Sequence, residues 1–240
     1  MTIEAIFFDL DETLLAFDDA AYERVVAQVC DGICARHPAI DARTLEAAYL
    51  PINAGRWDSS ATGPPIVRPS RSGLEIWREV WRQALVACGC DDDNVVDATT
   101  ELYTTIRRAS YCLYDDVSAA LDFVRARYRL AIISNGPADT QLDKLQRTGL
   151  DAYFDLVVTS GEFGSAKPDP SIFHHALSRL DLSAEGAWHV GDNVISDIGG
   201  AIDAGLTSVW INRHGKQRDA SHPTPHHEIA SLSELPALLK

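Results

Sequence analysis

This chain is short of positive charge. Its 240 residues carry 21 Lys and Arg against 35 Asp and Glu, a formal net charge of −14. A nucleic-acid surface needs clustered cations to displace counterions, so that class of partner is excluded. An anionic substrate is also repelled at long range. Any phosphate site must therefore draw on local charge from a metal, a lysine or backbone N–H groups. Long apolar runs are missing as well. No stretch approaches the ~20 residues that span a bilayer. The apolar segment from Ile6 to Leu15 is broken by Asp9, Asp11 and Glu12, with no basic n-region and no small-residue cleavage site. The expectation is a soluble cytoplasmic protein with no membrane partner. A disulfide framework is lacking too: Cys30, Cys34, Cys88, Cys90 and Cys112 are odd in number, and their spacings fit no common zinc pattern. They read as free thiols in a reducing compartment.

What is present is enough apolar material for a core. Hydrophobic residues make up 46% of the chain and charged residues 23%, which suits one large domain or a core with a smaller companion. Ile3 to Phe8 is short, apolar and β-favouring, and it delivers Asp9 at its carboxyl end. Similar runs recur at Leu130 to Ser134, Leu156 to Thr159, Trp188 to Val190 and Ser208 to Ile211. Helical patterns lie between them at Val117 to Arg127, Thr140 to Thr148, Ser171 to Leu180 and Asp197 to Ala204. This alternation predicts an α/β fold, a Rossmann-like, mostly parallel sheet with helices on both faces. Gly149, Gly186 and Gly205 fall near helix ends, where positive φ is useful.

The stretch between the first strand and Leu113 has a different texture. Ala20 to Arg36, Arg43 to Leu50, Gly73 to Cys88 and Asn94 to Arg108 are helical in pattern with no strand between them. Gly55 to Ser72 is rich in Gly, Pro, Ser and Arg and reads as a long loop. The expected organisation is a catalytic core of residues 1–15 and 114–240 with an inserted all-helical lid or cap, residues 16–113.

Four short stretches carry chemistry, each after an expected strand, where open α/β sheets bind ligands. Asp9-Leu10-Asp11-Glu12-Thr13-Leu14 offers two carboxylates that a turn can converge, one to attack and one to handle a proton. Ser134-Asn135-Gly136 offers donors for phosphate oxygens, although the tripeptide is also a common turn. Lys167, after Gly161, Gly164 and Ser165, offers a fixed cation. Val190-Gly191-Asp192-Asn193, followed by Asp197, adds the oxygen ligands that Mg²⁺ prefers. Singly, each fits an ordinary turn or a surface residue. Together and in this order they are hard to attribute to chance.

The set resembles the haloacid dehalogenase-like superfamily. The likeness rests on the DxDxT motif Asp9-Leu10-Asp11-Glu12-Thr13, on Ser134, on Lys167, and on Gly191-Asp192 with Asp197. The helical insert looks like that family's C1-type cap. The resemblance implies a Mg²⁺-dependent phosphatase for a small-molecule phosphomonoester. Asp9 is then the nucleophile that forms an aspartyl phosphate, and Asp11 the general acid and base. Lys167 is catalytic and, with Ser134, Asn135 and Gly136, binds phosphate. Asp9, Asp192 and the backbone carbonyl of Asp11 hold the metal. Asp197, Thr13 and Asn193 support the site: Asp197 orients Lys167 or a metal-bound water, and Thr13 stabilises the turn.

Four rival readings stay open, one of them a catalytically silent binding protein, against which every motif position keeps its functional group. A 2-haloacid dehalogenase uses the same first aspartate on carbon but resembles a phosphatase without the second acid. A phosphomutase keeps both acids and differs in where the phosphoryl group goes. A non-enzymatic aspartyl-phosphate switch needs a shorter chain and must preserve the intermediate. Other features receive plain readings. His222 to Glu228 reads as a solvated loop before a final short element. His174 and His175 cannot share a helix face. Trp77 and Trp81 read as helix packing. Arg56, Arg68 and Arg71 read as surface cations, with an anionic leaving group as the second reading. Nothing in the pattern fixes the oligomeric state.

Overall fold

The computed structural model describes residues 2–16, 19–57 and 72–239. They form two compact units, residues 1–16 with 112–240 and residues 17–111. The chain enters through β1 (Ala5–Phe8) and β2 (Leu15–Ala16), then runs through α1 (Asp19–Cys34), α2 (Ala42–Trp57), α3 (Gly73–Ala87) and α4 (Asp93–Ala109). It returns in β3 (Cys112–Leu113), which pairs antiparallel with β2. This two-stranded clip carries the α/β unit one residue past 15 and two residues before 114. The remaining elements alternate: α5 (Val117–Arg125), β4 (Arg129–Ser134), α6 (Ala138–Thr148), β5 (Leu156–Thr159), α7 (Ser160–Phe163), α8 (Pro170–Leu180) and β6 (Ala187–Gly191). After a π turn, Val194–Gly199, come α9 (Gly200–Asp203), β7 (Thr207–Ile211), β8 (His227–Ile229) and α10 (Leu235–Leu238).

The sheet order is β5-β4-β1-β6-β7-β8, and every pairing is parallel. All four β1 residues are buried, as expected where helices cover both faces. Alternation along the strand divides them between two cores. Ile6 and Phe8 join Leu121, Val124, Ile132 and Val209 on one face; Ala5 and Phe7 join Ile133, Ile172, Phe173 and Ala201 on the other. Each large side chain buried in this way contributes roughly 1.5–3 kcal/mol. The topology also creates the site. β4 and β6 flank β1 on opposite sides, and Phe8 is in register with both Ile132 and Val190. Their carboxyl ends therefore open side by side at the point where the strand order reverses, the ligand crevice of such sheets.

The helical unit is held by one aromatic-rich core. Tyr49 stacks on Trp81 with centroids 3.9 Å apart, and Trp77 lies 5.4 Å from Tyr103. Both tryptophans are buried packing residues. α2 runs seven residues beyond Leu50, straight through Pro51. Proline removes one helical hydrogen bond, but Leu45, Tyr49 and Asn53 are buried at successive turns, and this packing carries the helix onward. Gly55 thus belongs to the helix rather than a loop, and Ser72 caps α3. Arg68 and Arg71, and the side chain of Arg56, lie outside the described residues.

Three further expectations need correction. His222 to Glu228 is not simply a solvated loop, because His227 opens β8 and His226 Nδ1 accepts from the Ser208 N–H at 3.1 Å. Gly186 does not adopt positive φ, unlike Gly149 (71°) and Gly205 (81°). A side chain at Gly186 would instead strike Glu4. The helix expected from Asp197 begins earlier, as the π turn at Val194.

Candidate active site

Asp9 leaves β1 with its N–H donated to the Val190 carbonyl at 2.9 Å, so the strand ends fix its backbone. The chain then folds back tightly. Leu14 and Leu15 both donate to the Leu10 carbonyl, and Glu12 donates to that of Leu15. Glu12 takes a left-handed φ of 61° to make this turn. That conformation is costly for a residue with a Cβ and is most often kept where function needs it. Thr13 serves the turn through its carbonyl, which accepts from Arg213 at 2.8 Å. Its buried hydroxyl has no hydrogen-bond partner among the described residues.

Lys167 is the hinge of the site. Its buried ammonium donates to Asp9 Oδ1 and to Asp197 Oδ1, each at 2.6 Å. His189 Nε2 lies 3.0 Å from the same Asp197 oxygen, and the Asn193 N–H donates to Asp197 Oδ2 at 3.0 Å. Asp197 is thereby saturated from three directions. Gly191 makes this possible, since a Cβ there would collide with the Asp197 carboxyl group. Asn193 also acts through its side chain, which caps the π turn by accepting from the Ile195 and Ser196 N–H groups.

The Ser134-Asn135-Gly136 loop divides its labour. Asn135 clamps the backbone of Lys167 from both sides, donating to its carbonyl at 2.9 Å and accepting its N–H at 2.8 Å. The Gly136 N–H is donated to Ser160 Oγ at 2.9 Å. The groups of Asn135 and Gly136 that carry these bonds build the loop rather than reach toward a ligand. Ser134 Oγ accepts from Gln141 Nε2, which leaves its own proton available to donate.

One oxygen each from Asp9, Asp192 and Asp197 lies within 4.8 Å of the others. Three carboxylates face one lysine, and the imbalance shows in their proton affinities. The Asp9 carboxyl is pushed up to about 7, chiefly by burial, against the pull of Lys167 and with added repulsion from Asp197. Asp192 is pushed up to about 8 by burial and then by Asp197 and Asp9. Burial also acts on Asp197, but Lys167 and the His189 hydrogen bond outweigh it and hold the carboxyl low. Burial disfavours the Lys167 charge, yet Asp197 and Asp9 hold its pKa above the usual lysine value. Hard oxygen donors with a deficit of positive charge suit a divalent cation such as Mg²⁺. Asp9 and Asp192 have most to gain from one.

The profile of haloacid dehalogenase-like hydrolases matches residues 3–205. The chain belongs to that family. Among curated relatives, the N-acylneuraminate-9-phosphatase of Mus musculus is 32% identical over 99% of this chain and 94% of its own length. The phosphoserine phosphatase of Thermus thermophilus is 33% identical over 97% of this chain and 98% of its own. A solved 2-haloacid dehalogenase from Pseudomonas syringae superposes with a TM-score of 0.73 at 29% identity, covering 99% of this chain and 98% of that one.

Four participants escaped the sequence reading: Gln141, Lys144, Ser160 and His189. Lys144 Nζ donates to both Asp11 carboxylate oxygens at 2.7 Å, and Gln141 Nε2 donates to Asp11 Oδ2 at 3.0 Å. Asp11 is therefore drawn toward α6, apart from the three-carboxylate group. A usable signal existed for three of them. Gln141 and Lys144 sit three apart, on one helix face, beside the apolar Leu145. His189 lies inside a fully buried strand, an uncommon place for a histidine.

Proposed function

We propose that this hydrolase is a Mg²⁺-dependent phosphatase of small phosphomonoesters, working through an aspartyl phosphate on Asp9. The observation that carries the reading is the Lys167 ammonium bridging Asp9 and Asp197 beside Asp192. It joins residues from the segments that follow three strands around one ammonium. Asp9 and Asp192, with the backbone carbonyl of Asp11, would hold the metal, whose charge offsets the repulsion between carboxylate and phosphate.

The chain's own groups then divide the steps. Asp9 attacks phosphorus in line and the ester P–O bond breaks. The leaving alkoxide takes its proton from Asp11. Ser134 and Lys167 donate to the phosphoryl oxygens as charge builds on them. Asp11, now ionised, takes a proton from water, which attacks the acyl phosphate and frees Asp9 and inorganic phosphate. Residues 17–111 are read as the family's C1-type cap, the part that tells one leaving group from another.

Likeness to a dehalogenase favours a second reading, attack of Asp9 on a halogenated carbon. Asp11 argues against it, because a second acid held by two side chains has no part to play in that reaction. A phosphomutase differs only in its acceptor, so release of inorganic phosphate is the deciding measurement. The test is a phosphomonoester panel with Mg²⁺, led by N-acylneuraminate 9-phosphate and O-phosphoserine, for which the two relatives are named. Release of halide from a 2-haloacid without phosphate release from any ester rejects the proposal. So does full activity in excess EDTA.

A further inference from the structure

The catalytic reading leaves one buried cation unexplained. Lys144 is 4% exposed, and burying an ammonium is costly unless it is closely paired. Its partner is Asp11, which it meets with both carboxylate oxygens at 2.7 Å. One turn earlier on α6, Gln141 donates to Asp11 Oδ2 and also to Ser134 Oγ. Gln141 thus ties Asp11 to the hydroxyl assigned to the phosphoryl group.

A proton-transfer group gains its effect only when held within hydrogen-bond reach of the reacting atom. The Asp11 carboxylate is about one-third exposed, and α6 reaches both of its oxygens with side-chain donors. α6 follows directly on the loop after Ser134, the last residue of β4, and carries both residues that grip Asp11, one of which also bonds the Ser134 hydroxyl.

We propose that Lys144 and Gln141 are positioning residues, setting the Asp11 carboxylate beside Ser134 for proton transfer to and from the leaving group and water. The proposal rests on the phosphatase reading and on Asp11 as its acid and base. It assigns Lys144 no contact with substrate. Lysine suits this role because one ammonium can chelate both carboxylate oxygens. Arginine offers a similar two-pronged grip at greater length.

Leaving groups separate this role from a structural one. An alkyl ester needs a proton at its departing oxygen; a dinitrophenyl ester does not. Because kcat/KM covers only the steps through the first P–O cleavage, it isolates the acid role from the later hydrolysis. For Lys144→Met, kcat/KM for the best alkyl phosphate should fall about 100-fold. The value for 2,4-dinitrophenyl phosphate should stay within about threefold. Lys144→Arg should recover a large part of the alkyl activity, and Asp11→Asn should show the same selectivity for the activated ester. Equal losses on both esters, or no loss on either, overturn the proposal. If Asp11→Asn loses both esters equally, the role of Asp11 itself fails and the proposal falls with it. If Asp9→Asn remains active, the nucleophile was misassigned, a separate failure. Should Lys144→Met not fold, Gln141→Met is read by the same two esters and the same criteria.

Discussion

The two units of this molecule spend their interiors differently. Among the described residues, the buried interior of the helical unit is aliphatic and aromatic, relieved only by neutral groups such as Asn53, Thr99 and Thr100. Thr99 and Thr100 satisfy themselves on the carbonyls of Val95 and Val96, one turn back. The α/β unit buries Asp9, Lys144, Lys167, His189 and Asp197 near the carboxyl ends of its strands. Apolar packing is non-directional and tolerant, whereas a buried charge network destabilises the fold unless every member is matched. The helical unit is therefore built to be stable, and the strand ends are built to be poised. Substitutions should separate the two.

The widest separation comes from Asp9→Asn. It removes the oxygen proposed to attack phosphorus and should lower turnover by three orders of magnitude or more, while the fold persists because Lys167 keeps Asp197. Phosphate release near the wild-type rate would disprove the nucleophile. Lys167→Met strikes both properties at once. It leaves Asp9 and Asp197 without their shared cation, so about 3–5 kcal/mol of stability should be lost along with at least 100-fold in activity. Chemical denaturation and an ester assay on the same preparation read both. Unchanged stability would show that the buried pair is not what matches these carboxylates.

The contrast also explains what the sequence could reveal. Short apolar runs bounded by turn residues located β1, β4, β5, β6 and β7, because a doubly covered strand must be apolar throughout. β8 stayed hidden: an edge strand of three residues with His227 and Glu228 carries no such pattern. β2 and β3 were missed because two residues have no period. At the site, Asp9, Ser134, Lys167, Asp192 and Asp197 were legible because motif order places them at strand ends. Lys144 and His189 left a signal of position but none of role. Their roles depend on which helix face or strand side meets the crevice, and that is settled by packing between distant segments. For the same reason Asn135 could be picked out but its work could not. Only the fold shows its amide closing on the Lys167 backbone.

Trp81→Ala tests the other half of the comparison. Trp81 is fully buried and stacks on Tyr49, with Tyr103 edge-on at 5.7 Å. Its loss leaves a cavity costing about 3–5 kcal/mol. The effect should appear in urea unfolding, while kcat for p-nitrophenyl phosphate at low temperature stays within about threefold. A collapse of kcat in a variant that still shows a cooperative transition would mean that this core is coupled to the chemistry.

The smallest expected effect concerns protons and metal at the strand ends. Asp9 and Asp192 have carboxyl pKa values raised by burial, and further by repulsion from Asp197, to about 7 and about 8, from an ordinary 3.8. Between about pH 4 and 8 the folded protein therefore holds protons that the unfolded chain has released. Their contribution to stability is present below pH 4 and lost as pH rises through 7 and 8. The proposed divalent cation would take the place of those protons, so its stabilisation should grow over the same window. At pH 8, Mg²⁺ at ~100 times its dissociation constant adds about 2.7 kcal/mol, or roughly 5–10 °C in Tm for a protein of this size. At pH 5.5 the shift should be much smaller. Asp192→Asn should flatten both the pH slope of the metal-free protein and the response to Mg²⁺, since it removes one titrating ligand and leaves the Lys167–Asp197 pair in place. A Mg²⁺ shift equal at the two pH values, or unaltered by Asp192→Asn, would separate the cation from these carboxylates.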